Sequence, residues 1–226
     1  MIKETKKEKS KVRRIAEWIF LTLTVMFLAT RVFPETLIWP YSANIGDTQI
    51  YSEQPISPNI SSVLAKSDQL IRKSAIYSQG YGKRIFLTQG RWRWKLLSLT
   101  LSGSFAHSSQ LSGAIVVNRN SVADDWVRNG KSIGGQRKLS SLIAHERTHG
   151  LIFARYGYFE RLRFPRWKIE GYCDYVAQES SLSAADVDSL KRSGKKHPAI
   201  VYFEGHERVA AILAKNGGSV DQLFGK

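Results

Sequence analysis

Apolar residues form one long run near the start of the chain and several short runs farther on. The stretch Trp18–Thr30 holds no charged residue, and the apolar region Ile15–Phe33 has about the length that a helix needs to cross a bilayer. Later runs at Arg84–Thr88, Trp92–Leu101 and Gly113–Asn118 are separated by turns rich in Gly and Ser. Short runs bounded in this way predict β-strands.

Other segments carry apolar side chains at every third or fourth position, the spacing of one helix face. These segments are Ser61–Ser74, Leu139–Tyr156, Trp167–Gln178, Ala184–Arg192 and Tyr202–Asn216. Because the strands precede most of the helices, the pattern predicts an α+β fold. We expect an N-terminal transmembrane helix, then a small domain with a short β-sheet followed by helices.

The composition divides the chain into four regions. Residues 34–58 are rich in Pro, Ser and Asn, which is typical of a linker. The expected regions are a basic cytoplasmic tail, a transmembrane signal anchor, a linker and a folded domain: residues 1–14, 15–33, 34–60 and 61–226.

Charge predicts the orientation in the membrane. The chain has a net charge of +15, and seven basic residues stand among its first 14, whereas residues 32–65 contain no Lys or Arg. Basic residues stay on the cytoplasmic side, so we expect a single-pass protein with its N-terminus in the cytoplasm and its domain outside. A cleaved secretory signal and a buried core helix are the alternatives. Export makes nucleic acid an unexpected partner.

The segment Arg91–Lys95 alternates cations with two tryptophans. On a strand, this alternation would place Trp92 and Trp94 on one face and the cations on the other. Either the Trp face packs on the core, or the segment docks on a membrane or a polyanion.

The residues that can perform chemistry are concentrated in one predicted helix. His145, Glu146 and His149 form an HExxH sequence, and positions i and i+4 of a helix lie on one face. The two imidazoles can therefore converge on one cation, for which zinc is well suited. Glu146 can then approach a water molecule bound to that metal. The single cysteine, Cys173, excludes an intrachain disulfide and a zinc cluster built from several cysteines.

Residues farther along the chain resemble those of the gluzincin metallopeptidases. Glu170 follows His149 after 20 intervening residues, within a W-x-x-E-G sequence at Trp167–Gly171. This is similar to the aminopeptidase and thermolysin-like members, in which a second helix supplies a glutamate ligand. Asp174 resembles the aspartate that braces a zinc-bound histidine, and an i+4 carboxylate can accept the other ring N–H of His145.

The resemblance covers about residues 113–226 and implies a zincin-like domain. It implies that His145, His149 and Glu170 bind one Zn²⁺ per chain and that Glu146 is the catalytic base. Tyr202 would stabilise the oxyanion, with His206 as the alternative donor. Gly113–Asn118 resembles the edge strand that lies beside the substrate.

These features predict a membrane-anchored zinc peptidase that hydrolyses peptide bonds of a peptide or protein substrate outside the cytoplasm. The alternative is a basic, membrane-tethered binding module that keeps the zinc for stability and performs no turnover. An intact Glu146 favours the enzyme, because a purely structural zinc site does not need a general base.

Overall fold

The computed structural model describes residues 2–109 and 112–225, which form helices and two small sheets. Its strands are β1 (Tyr41–Ile45), β2 (Thr48–Ser52), β3 (Arg84–Leu87), β4 (Ala106–Ser108), β5 (Ala114–Val117), β6 (Arg119–Ser121), β7 (Trp126–Arg128) and β8 (Gln136–Lys138). Its helices are α1 (Ile2–Val32), α2 (Ile60–Arg72), α3 (Trp92–Ser98), α4 (Leu139–Tyr156), α5 (Glu160–Arg163), α6 (Arg166–Ala177), α7 (Ala184–Arg192), α8 (Ile200–Lys215) and α9 (Val220–Phe224). The α+β fold predicted from the sequence is confirmed.

The N-terminal helix α1 is long and apolar enough to cross a membrane. Its candidate span is Lys11–Val32, none of which is buried inside the protein. At 1.5 Å per residue these 22 residues reach about 33 Å, slightly more than the hydrocarbon core of a bilayer. An apolar helix of this length is stable in lipid, whereas in water its large side chains would stay exposed.

The expected linker, residues 34–60, instead contributes two strands to the main sheet. A short 3-10 turn at Pro34–Leu37 leads into the antiparallel pair β1 and β2. Ile50 in β2 is fully buried. Thr48, Ile50 and Ser52 are buried, so every second side chain of β2 points into the protein. Two of these three residues are polar, and the sequence pattern therefore did not indicate a strand.

A second difference concerns Trp92–Leu101, which we expected to be a strand. The structure has α3 there, followed by a 3-10 turn at Leu99–Leu101. Trp94 and Leu97 are three positions apart, and both are buried against the sheet, so the buried positions follow the helical period. The two tryptophans therefore do not share a face.

The main sheet has five strands in the order β1-β2-β3-β5-β4. The three inner strands are parallel to one another, and the two outer strands run antiparallel to their neighbours. The segment that we expected at the edge, β5, lies inside the sheet, and β1 and β4 form its two edges among the described strands. Strands β6, β7 and β8 make a separate antiparallel sheet.

The main sheet is covered on both faces. Ile85, Leu87 and Ile115 point toward α2 and α4, whereas Phe86 and Val116 point toward α3. Successive side chains of a strand alternate between the faces, so the sheet separates α3 from α4. On the far side of α4 lie first α6 and then α8.

Helices α6 and α8 cross at two glycines. A Cβ atom on Gly171 would lie 2.4 Å from the backbone oxygen of Gly205, and one on Gly205 would lie 2.6 Å from the oxygen of Trp167. Only glycine allows the two backbones to approach this closely. The Gly of the W-x-x-E-G sequence therefore has a packing role.

We expect Gly171→Ala to lower the free energy of unfolding by about 1–3 kcal/mol, because the backbone overlap outweighs the better helix propensity of Ala. Thermal unfolding of the full chain in detergent measures this loss. The control is Lys215→Ala at the exposed end of α8, which should stay within about 0.5 kcal/mol of the parent protein. Equal melting temperatures for the two variants would contradict the crossing.

Candidate metal centre

The two histidines of the HExxH sequence lie on one face of α4. Their ring centroids are 5.0 Å apart, and both side chains are almost fully buried. Nearly all of α4 is buried, because it packs between the main sheet and α2 on one side and α6 on the other. Asp125 fixes the start of this helix, where its carboxylate accepts hydrogen bonds from the backbone N–H and the hydroxyl of Ser140.

Arg147, between the two histidines in sequence, fixes the rotation of α4. Its guanidinium donates to Asp68 on α2 at 2.5 Å, to the hydroxyl of Thr48 on β2 at 3.2 Å and to the carbonyl of Gly82 at 3.3 Å. These bonds point Arg147 away from α6. The histidines at the flanking positions consequently face α6.

Helix α6 brings Glu170 between the two imidazoles. One oxygen of Glu170, Oε2, lies 3.5 Å from Nε2 of His145 and 3.7 Å from Nε2 of His149. Two ligand atoms at about 2.0–2.1 Å from a tetrahedral zinc ion lie about 3.3 Å apart, so each imidazole nitrogen lies nearly at zinc-site spacing from the Glu170 oxygen. The side chain of Glu170 is 20% exposed, which leaves the cluster open to solvent on one side.

Cys173 forms a second group with the same histidines. The ligand atoms of His145, His149 and Cys173 all lie within 4.8 Å of one another, so this buried cluster could hold a metal ion. The sulfur, however, contacts Nδ1 of His149 at 3.5 Å, on the opposite side of the ring from Glu170. The two nitrogens of one imidazole point in different directions and cannot bind the same ion. Glu170 and Cys173 therefore define two alternative donor sets.

Asp174 holds the ring of His145 in place. Its Oδ1 atom lies 2.8 Å from Nδ1 of His145 and 3.0 Å from a guanidinium nitrogen of Arg137. Burial would raise the pKa of Asp174, but the charge of Arg137 and the bond to His145 outweigh it and lower the pKa to about 2. The carboxylate is therefore ionised, and it leaves Nε2 of His145 directed at Glu170.

The cluster stabilises positive charge. Burial would lower the pKa of His145, but its hydrogen bonds to Asp174 and Glu170 raise it to about 10. Burial would raise the pKa of Glu170, but the nearby charges of His149 and His145 lower it to about 2. Two ionised carboxylates beside buried imidazoles suit a cation, because unpaired buried charge is costly.

Glu146 follows His145 in the sequence, and its side chain is buried. Among the described residues, no hydrogen bond joins it to Oε2 of Glu170 or to Nε2 of His145 or His149. It lies near the edge strand β4. Burial lowers the pKa of His107 on β4 to about 4, and the negative charge of Glu146 is close enough to oppose that shift. The carboxylate is therefore close enough to the edge strand β4 to act on His107 through its charge.

The two candidates for oxyanion stabilisation occupy different surroundings. Tyr202, in the first turn of α8, accepts a hydrogen bond from Arg166, and burial and the charge of Glu170 raise the pKa of its phenol. The phenol therefore keeps a proton to donate near Glu170. His206 instead lies 3.7 Å from Glu207 and packs against the ring of Tyr175. No described contact joins His206 to the metal cluster.

The sequence did not predict that three further residues lie at this cluster: Arg137, Arg166 and Cys173. Arg137 lies on the short strand β8, where a charged residue normally faces water, so no pattern predicted its burial. Arg166 stands one helical turn before Glu170 and lowers the pKa of that carboxyl. The i, i+4 spacing of Arg166 and Glu170 could have predicted this interaction from the sequence.

No family model, curated protein or solved structure matches the chain. The gluzincin resemblance therefore stays a prediction that rests on the motif residues.

Replacing Arg137 by Met should lower the free energy of unfolding by about 3–5 kcal/mol, because Asp174 would keep a buried charge without its cation. Chemical unfolding of the full chain measures the change. Lys138→Met at the exposed neighbouring position is the control. The double variant Arg137→Met/Asp174→Asn should recover part of the loss, since the unpaired charge is gone. Purely additive losses would contradict the pairing.

Proposed function

We propose that this protein is a membrane-anchored zinc peptidase that hydrolyses peptide bonds outside the cytoplasm. One observation carries the proposal: Nε2 of His145 and Nε2 of His149 both face the same oxygen of Glu170. Two histidines and one glutamate form a donor set typical of catalytic zinc sites, which keep a fourth position open. The partly exposed side chain of Glu170 supports access from solvent on that side.

The donor atoms fit zinc better than other common metals. Imidazole nitrogen suits zinc, whereas calcium and magnesium are bound almost entirely by oxygen ligands. When bound, zinc would polarise the substrate carbonyl and lower the pKa of a water molecule in its open position.

Side chains of this protein would perform the proton transfers and stabilise the oxyanion. Glu146 would accept a proton from the attacking water and pass it to the leaving amine. Tyr202 would donate a hydrogen bond from its phenol to the carbonyl oxygen as negative charge develops there. The edge strand β4 is near Glu146 and would pair with the backbone of an extended peptide, which favours a peptide substrate over a small molecule.

The proposed location rests on α1 and on the charge around it. The span Lys11–Val32 has the length of a membrane helix, and the basic residues precede its apolar part. Because Lys and Arg are retained on the cytoplasmic side, residues after 33 would lie outside the cytoplasm.

The purified full chain should contain about one zinc ion, and His145→Ala should remove it. Glu170→Ala should weaken zinc binding by at least the roughly 10–100-fold that follows loss of a hydrogen-bond partner of a ligand. Glu204→Ala, an exposed carboxylate on α8, is the control and should keep full zinc. Metal analysis after dialysis against a chelator series measures the occupancy.

The alternative donor set is tested by Cys173→Ser and by cobalt. If Glu170 is the third ligand, this variant keeps its metal, and the cobalt-substituted protein lacks a thiolate charge-transfer band. A charge-transfer band that disappears in Cys173→Ser, together with full occupancy in Glu170→Ala, would make Cys173 the ligand instead.

Glu146→Gln should leave the fold and the zinc content unchanged, because Glu146 is not among the ligands. Peptide hydrolysis should fall by about 100-fold or more, since an amide cannot accept the proton of the attacking water at neutral pH. Cleavage of a mixed peptide library by the full chain in detergent, followed by mass spectrometry, measures the rate. Zinc binding without cleavage by the parent protein would favour the binding module, and an unchanged rate in the variant would exclude Glu146 as the base.

A further inference from the structure

The outward face of α3 and the turn after it carry large apolar side chains in water. Trp92, the first residue of α3, is 54% exposed, and Leu99, the residue directly after α3, is 48% exposed. Leu101, in the following turn, is 51% exposed. On the inward face, Trp94 and Leu97 are buried against the sheet. The segment is therefore apolar on both faces, and only one of them is covered by the protein.

Positive charge surrounds this apolar face. Residues 91–104 include Arg91, Arg93 and Lys95 and no acidic residue. Arg91 and Lys95 are exposed, and the guanidinium of Arg93 lies 4.4 Å from the ring centre of Trp92. Trp is enriched at the headgroup level of bilayers, and interfacial amphipathic helices combine Trp and Leu with Lys and Arg.

The same face adjoins the end of α1. Arg31, in the last turn of α1, donates to the carbonyl of Leu96 in α3 at 3.4 Å. Arg93 donates to the carbonyl of Ile38 at 2.7 Å, and the side chain of Ile38 is 81% exposed. These bonds hold the apolar residues beside the point where the candidate span ends.

We propose that this surface rests on the bilayer that holds α1. The docking face comprises Ile38, Trp92, Leu99 and Leu101 with the cations Arg91 and Lys95. Its apolar side chains would enter the headgroup region, and its cations would bind the phosphates of anionic lipids. This inference rests on the insertion of α1 and is independent of the peptidase activity.

Single cysteines at three positions test the docking face in the full chain. Trp92→Cys and Leu99→Cys probe the face, and Lys215→Cys at the end of α8 is the control. Native Cys173 is fully buried and should not react. Each variant is labelled with a polarity-sensitive dye and reconstituted into phosphatidylcholine vesicles, with or without phosphatidylglycerol, that contain brominated lipid.

We expect bromolipid to quench the labels at 92 and 99 about twofold more strongly than the label at 215, because only the docking face enters the bilayer. Phosphatidylglycerol should increase the difference, and Arg91→Gln/Lys95→Gln should remove that increase. Equal quenching at all three positions would overturn the proposal. Failure of the chain to float with the vesicles would also overturn it, since the argument starts from the position of α1.

Discussion

The buried ion pair between Arg137 and Asp174 joins the parts of the molecule that build the candidate metal centre. Arg137 lies on β8 just before α4, and Asp174 lies on α6. The carboxylate oxygen that meets Arg137 also meets His145. One atom therefore fixes both the distance between the two helices and the orientation of an imidazole. Because a buried charge is tolerated only when paired, this contact allows few other arrangements of α4 and α6.

Helix α6 is also held by a different kind of contact, which it makes with α8. Gly171 presses directly on the backbone of α8, with no side chain between the helices. Polar bonds thus position Glu170 and Asp174, and steric fit positions Gly171, which lies about 100° around the helix from Glu170. The close crossing also brings the first turn of α8, with Tyr202, near Glu170. Packing and chemistry consequently depend on the same two consecutive residues, Glu170 and Gly171.

The sequence predicted the parts of the fold that local patterns determine. Helix α4 matches the predicted segment Leu139–Tyr156, because its apolar positions repeat regularly and Gly157 follows it. The i, i+4 spacing predicted that the two histidines converge, and the resemblance to the gluzincins predicted that Glu170 lies beside them. The patterns failed where a contact comes from a distant segment. At Trp92–Ser98 the alternation of the sequence favoured a strand, whereas the packing of Trp94 on the sheet stabilises a helix. The burial of Arg137 depends on Asp174, 37 positions later, and no local pattern contains it.

The five-stranded sheet lies between α3 and α4, and this order of layers sets the distance between the docking face and the histidines. With the docking face on lipid, the histidines of α4 would stand off the membrane by one helix and one sheet, roughly 20 Å from the dimensions of these elements. Peptide segments buried in the bilayer would lie below the reach of the site. For the proposed peptidase, substrates would instead be loops, tails or neighbouring proteins that reach that height, and their distance from the membrane would decide whether they are cleaved.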